Sequence, residues 1–252
     1  MKRLITGILL LLAGTPFLIA QDSVVTFWDN NPAMVRECYT VRINGTDSIR
    51  HGEYKIYHRN GNLWQKGRYE KGELTGMWLD YYEDGTIKQK LPYIGNKLNG
   101  VLEYYYPDGK LYQKASHKND LLDGPVSIFH PNGKLNEHSE YKLGMLHGPS
   151  VAYFDSGLLR SRKNYIMGLV SGEQSIYYEN GNIRELSYLS SGEYHGEFRG
   201  YYKEYEDGCL QKICHYTNGL LEGRFTGYYP SGLIMLECDY SNNRIEGDYI
   251  KY

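Results

Sequence analysis

Four cysteines and eight histidines are the residues of this 252-residue chain whose side chains are best suited to chemistry. Cys209, Cys214 and His215 form their densest group, but the spacing fits no standard zinc pattern, in which ligands converge on one tetrahedral centre. His51, His147 and His195 each stand directly before a glycine of a regular series, which makes them parts of a repeat. Carboxylates are scattered over turn-like segments without a convergent pair. No nucleophile elbow, phosphate-binding glycine loop or metalloprotease helix is present. The expectation is a non-enzymatic protein with no catalytic residue, no cofactor and no metal. A net charge of −2 gives no reason to expect nucleic acid as a partner.

Cys214 and Cys238 are 24 residues apart, and that interval organises the chain. Gly52, Gly76, Gly100, Gly124, Gly148, Gly172 and Gly196 follow one another at 24, Gly223 comes after 27, and Gly247 after 24 again. These glycines are position 0 of a repeat. Position 9 is Gly61, Gly85, Gly109, Gly133, Gly157, Gly181 or Gly232, and in the seventh repeat Gly208, three residues late. Position 8 is Asn, Asp or Ser, from Asn60 and Asp84 to Ser231. Asn-Gly and Asp-Gly between alternating strands predict a hairpin turn of type I′, with positive φ at both central residues. Position 20 holds only Gly, Asn or Asp, from Gly72 and Asn96 to Asn243, which implies a second tight turn.

Two turns per 24 residues leave two strands, and 27 tyrosines suit strands with one wet face. The predicted fold is all-β: an elongated, single-layer antiparallel meander of about eight 24-residue β-hairpin repeats. Seventeen or so strands at about 4.8 Å predict a sheet roughly 75–80 Å long. Residues 1–20 are expected to be a signal peptide, 21–50 an atypical capping segment, and 51–252 the array. A turn at positions 8 and 9 makes paired positions sum to 17. Position 2 (Tyr54, Trp78, Leu102, Val126, Phe225) then faces position 15 (Gly67, Leu91, Ala115, Ser139, Lys163, Ser187, Cys214, Cys238), so that large mostly faces small. Position 6 faces 11, pairing Tyr82 with Ile87, Tyr106 with Leu111 and Phe154 with Leu159. Position 17 faces 0, placing Tyr69 over Gly52, Tyr93 over Gly76 and Tyr165 over Gly148, as an aromatic covers a strand glycine. Equivalent positions lie two strands apart, about 9.5 Å. A disulfide needs Cα atoms within about 7 Å, so Cys214 and Cys238 are expected to stay unbonded. The extra residues of repeat seven predict a bulge or enlarged loop between Gly196 and Gly208.

The run from Gly76 through Trp78, Tyr81 and Asp84 to Gly85, followed by Ile87, Tyr93 and Lys97 to Gly100, resembles the MORN repeat. It is most similar to the bacterial variant form of the YwqK-like group named as antitoxins. The runs Gly100–Gly109 and Gly223–Gly232 repeat the pattern, and the resemblance covers roughly residues 52–252. It implies an extended sheet of successive hairpins used for interactions, without catalytic residues.

Lys2 and Arg3, an apolar run from Leu4 to Ala13, and the breaks at Gly14, Pro16 and Ala20 have the form of a secretory signal peptide. A cut after Ala20 would leave Gln21 first, so the chain is expected to be exported, to a periplasm or the outside of the cell. Two columns are candidates for partner binding. Position 14 reads Lys66, Lys90, Lys114, His138 and Arg162, either a basic stripe for an anionic partner or a solvated face that resists aggregation. Position 5 is aromatic, with Tyr57, Tyr81, Tyr105, Tyr153 and Tyr177 its tyrosines in the first six repeats. It is expected to share a face with position 12, so that Tyr81 meets Lys88, Tyr153 meets Arg160, Tyr177 meets Arg184, and Tyr57–Trp64 and Tyr105–Tyr112 pair. These rings either stiffen a thin sheet or form an amphipathic binding surface. The partner is expected to be another protein, with an anionic polymer or lipid surface, or a toxin neutralised by an antitoxin-like contact, as alternatives.

Overall fold

The computed structural model describes residues 3–5, 21–44, 47–204 and 208–252. The candidate signal peptide and its cleavage site lie outside the described residues, except for a short strand at Arg3–Ile5. The chain divides into two units, residues 1–121 and 122–252. Each is an antiparallel sheet in which strands adjacent in sequence pair. The fold is the expected all-β hairpin meander. Apart from a 3-10 turn at Trp28–Asn30, no helix occurs among the described residues. None of them is part of a helix long and apolar enough to cross a membrane.

Each repeat supplies a first strand such as Glu73–Tyr81 and a second such as Ile87–Ile94. Within a hairpin the sum of 17 holds for five rungs: Gly52 faces Tyr69, Tyr54 faces Gly67, and Ile56 faces Gln65. The ladder then slips at position 12, and position 5, not 6, faces 11: Tyr81 pairs with Ile87, Tyr105 with Leu111, and Tyr153 with Leu159. The expected 6-to-11 pairs do not form because the turn is larger than two residues. His58 N–H donates to Asn62 O at 2.8 Å, and Gly61 N–H to His58 O at 3.0 Å. Only the glycine takes positive φ, +87° at Gly61 and +89° at Gly85. This is a three-residue loop, a type I turn closed by a left-handed glycine, rather than the expected type I′ turn.

Position 8 is therefore selected for its side chain, not for its φ. Asn60 Oδ1 accepts from Asn62 N–H at 2.9 Å, Asp84 Oδ1 from Thr86 N–H at 2.8 Å, and Asn132 Oδ1 from Lys134 N–H at 2.9 Å. The type I′ turn is the other one. Lys71 and Gly72 have φ of +51° and +86°, Asn119 and Asp120 +51° and +71°, and Leu143 and Gly144 +51° and +83°.

The nine position-0 glycines also take positive φ, from +68° at Gly76 to +123° at Gly100. Between repeats Arg68 faces Thr75 and Lys66 faces Leu79, so the first strand spends two more residues than its neighbour at this point. The glycine is the hinge of that bulge. The tyrosines of position 17 do not cover it. A Cβ on Gly76 would meet nothing within 4 Å, and one on Gly148 would touch Glu140 rather than Tyr165. Those rings pack instead on position 2. Tyr69 stands edge-on to Trp78 at 5.1 Å and to Tyr54 at 5.6 Å, and Tyr216 to Phe198 at 5.9 Å.

Positions 2, 15 and 17 make the buried face of each unit. In residues 1–121 its centre is Tyr54, Trp78, Leu91 and Ala115. In residues 122–252 the same rows mix apolar Val126, Leu189 and Phe198 with polar residues: Ser139 Oγ bonds Ser150 Oγ at 2.9 Å, and Gln174 Nε2 donates to Glu185 Oε1 at 2.8 Å and Ser187 Oγ at 2.9 Å. Cys214 and Cys238 fill position 15, buried and unbonded, and burial pushes the Cys214 thiol up. Repeat seven has its enlarged loop. Tyr202 N–H reaches Cys209 O, where Tyr82 N–H reaches Thr86 O, so three residues are added at the hairpin end.

Candidate interaction face

The slip at position 12 decides which columns share a face. Position 12 lies with positions 4 and 6, not with 5. Lys88 Nζ stands 5.8 Å from the ring of Tyr82, Tyr112 meets Tyr104 and Tyr106 at 5.7 and 5.1 Å, and Trp64 stacks on His58 at 5.7 Å. The expected contacts of Tyr81 with Lys88, of Tyr105 with Tyr112 and of Tyr57 with Trp64 give way to these. The same slip, between Ala152 and Tyr153 and between Ile176 and Tyr177, takes Arg160 and Arg184 off the faces of Tyr153 and Tyr177.

Position 5 instead shares its face with position 14, so the two candidate columns interleave. Lys66 Nζ lies 5.8 Å from the centre of the Tyr81 ring, and Lys90 Nζ 5.1 Å from that of Tyr105. Tyr57, Tyr81, Tyr105, Tyr153 and Tyr177 are all half-buried. In residues 122–252, His138 Nδ1 pairs with Ser127 Oγ at 2.9 Å and its Nε2 lies 3.8 Å from Glu140, while Arg162 is exposed.

Glu103, at position 3 of the third repeat, escaped sequence reasoning because a single acid breaks no periodic column. It accepts from Lys90 Nζ at 2.9 Å and from Tyr105 Oη at 2.7 Å, and its other oxygen lies 4.0 Å from Lys114 Nζ. The hydrogen bond from Tyr105, then that from Lys90, holds the Glu103 carboxyl below its ordinary range. Two of the five basic residues thus sit on one carboxylate.

A second missed column is position 6, whose signal was a ring with a polar atom recurring in every repeat but the fifth, which has Phe154. Tyr82 Oη donates to Tyr105 O at 2.8 Å, Tyr178 Oη to Tyr201 O at 3.0 Å, and Tyr229 Oη to Tyr252 O at 3.0 Å. His58 and His130 reach Tyr81 O and Tyr153 O at 3.3 and 3.1 Å. Each ring bridges to the backbone of the following repeat. Asn60 and Asn180 do the same from position 8, through Glu83 O at 2.8 Å and Lys203 O at 2.9 Å. Among the described residues no group of three His, Cys, Asp or Glu is placed to hold a metal ion.

Residues 50–71, 74–94, 98–119, 122–143 and 171–189 match the MORN repeat variant. Five of the hairpins are thus similar in sequence to that repeat. The MORN repeat is a non-catalytic module that contacts proteins or membrane lipids. Hairpins of the same register continue outside the matched segments, in Met145–Tyr153 with Leu159–Ile166 and in Gly223–Tyr228 with Ile234–Ser241. No curated protein matches the chain.

Proposed function

We propose that the chain is a non-enzymatic scaffold of the cell envelope or the cell exterior, binding a protein partner through the face that carries positions 3, 5 and 14. The observation behind this reading is the interleaving of the two columns. Lys66 against Tyr81 and Lys90 against Tyr105 create half-buried rings flanked by charge. Amphipathic aromatic surface of this kind is favoured where proteins meet. A continuous basic stripe for an anionic polymer or lipid surface is the weaker reading, because Glu103 offsets Lys90 and Lys114. Neutralisation of a toxin would be one case of the same protein contact. Export rests on Lys2, Arg3 and the apolar run that follows.

The test is affinity capture from envelope extracts, comparing the native chain with the double variant Tyr81→Ser, Tyr105→Ser. Retention of a partner at high salt by the native chain alone is the expected result. Capture that the tyrosine changes leave intact and that moderate salt abolishes would transfer the function to the basic column. Export is tested separately, by fusing residues 1–30 to a reporter active only outside the cytoplasm; an inactive reporter would end that part of the reading.

A further inference from the structure

The loop joining Gln21–Phe27 to Val35–Asn44 departs from the repeat. Its hairpin keeps the common register, with Val24 facing Tyr39 and Phe27 facing Val35. It closes, however, from Trp28 N–H to Met34 O rather than across three residues. Asp29 and Asn30 sit at φ of +48° and +58°, consecutive non-glycine residues in the left-handed region. Asp and Asn tolerate this region, and Asn119–Asp120 and Asn242–Asn243 adopt it in ordinary turns of the repeat, so what sets this loop apart is how it is held. Arg59 grips Asp29 with nitrogens 2.7 and 3.3 Å from its two oxygens, and Trp28 Nε1 donates to Tyr57 O at 3.3 Å. The guanidinium groups of Arg36 and Arg59 stand 5.0 and 4.8 Å from the Trp28 ring centre.

The pinned loop leaves a cleft of about 330 Å³ lined by Trp28, His58, Arg59, Trp64 and Glu83. A larger cleft of about 560 Å³ shares Trp28, His58 and Arg59 with it. The chain has three tryptophans. Trp78 is in the core at 2 % exposure, whereas Trp64 is 45 % exposed and stacks on His58. The two tryptophans not spent on the core therefore wall one cleft, with an imidazole, a guanidinium and a carboxylate between them.

We propose that this cleft binds a neutral saccharide, with a pyranose face against Trp64 and hydroxyls bonded to Arg59, His58 and Glu83. The C–H face of a sugar ring is weakly electropositive and complements the negative face of an indole. The polar groups offer both donors and acceptors, as hydroxyls require. The charge of Arg59 is matched by Asp29, and Glu83 on the same wall disfavours an anion. Two guanidinium groups already occupy the Trp28 ring, which leaves it no vacancy for a cation. The volumes fall within the usual range of small-molecule sites. The 330 Å³ cleft is lined by none of the residues assigned to the protein partner, so either proposal can fail alone, whereas the larger cleft reaches Tyr57 of that face.

Titration of the full chain with chitohexaose, cellohexaose and maltohexaose, followed by tryptophan emission and calorimetry, tests this. Polygalacturonate serves as the anionic comparator. At least one neutral hexasaccharide is expected to bind and to perturb the emission, with little dependence on salt. Trp64→Ala should weaken that binding at least tenfold while the melting temperature holds, because Trp64 is exposed, and Trp64→Phe should restore part of it. No binding by any of the three neutral sugars at millimolar concentration, or binding by polygalacturonate alone, would overturn the proposal. Undiminished binding by Trp64→Ala would do so as well.

Discussion

Gly67 lies directly beneath the indole of Trp78 in the next repeat: a Cβ built on Gly67 would fall 2.1 Å from Trp78 Cδ2 and 2.3 Å from Cε2. Gly67 has no positive φ, so space alone demands glycine there. Gly67→Ala is expected to destabilise by about 1–3 kcal/mol, as overpacking does. Trp78→Leu in the same chain should recover part of that loss, since contacting residues are not independent. Strictly additive losses in a double-mutant cycle of thermal melts would show that the two do not touch.

Gly76 is the opposite case, a glycine required by conformation with open space around it. Gly76→Val should cost about 1–2 kcal/mol through its left-handed backbone. Adding Tyr93→Ala should be additive within about 0.5 kcal/mol, because no Cβ at Gly76 reaches the Tyr93 ring. Rescue by Tyr93→Ala would place that ring over the glycine after all.

In the type I′ turns the two central positions are unequal. Gly72, at φ +86°, should tolerate Val worse than Lys71, at +51°. Leu143 shares the +51° conformation and is 58 % exposed, where Asn119, Asn218 and Asn242 stand in the equivalent places of other repeats. Leu143→Asn should raise stability by about 0.5–1 kcal/mol, since Asn accepts the left-handed region more readily. A lower melting temperature for Leu143→Asn would mean that its side chain makes a stabilising contact.

Phe154 is the one position-6 ring that has no polar atom to bridge with. Phe154→Tyr should place a hydroxyl where Tyr178 and Tyr82 have theirs and gain about 0.5–1.5 kcal/mol from a bond to the Tyr177 carbonyl. Tyr178→Phe should lose a similar amount by removing its 3.0 Å bond to Tyr201 O. Denaturant melts that leave both variants equal to the native chain would deny the bridges any energetic role.

Burial pushes Tyr194 and Tyr216 up to about 12, from an ordinary value near 10. Between those values the unfolded chain has released both protons and the folded chain has kept them, so unfolding gains with rising pH. Stability should be insensitive to these groups below about pH 10 and fall from there to about pH 12. Absorbance titration should show tyrosines ionising late and together with loss of the fold. Normal, gradual ionisation of all tyrosines with the fold intact would contradict that burial.

The 24-residue period, the places where the chain turns and the first five rungs of each hairpin were legible in the sequence. Each follows from a one-residue constraint: a left-handed backbone admits little besides Gly, Asn and Asp, so φ is written directly into residue type. Tertiary structure decided which turn was type I′, because that depends on where the ladder closes: His58 bonds Asn62, a hydrogen bond that Asn60 and Gly61 alone do not specify. It also decided what each column faces. One slipped residue reverses every side chain beyond it, and the slip at position 12 moved Lys88 from Tyr81 to Tyr82, while Lys66, paired with Leu79 ahead of the slip, stays on the face of Tyr81. The meeting of Trp28 with Arg59 and Trp64 was likewise invisible in the sequence. It depends on a loop outside the repeat rule, folded over a hairpin end some thirty residues further along the chain.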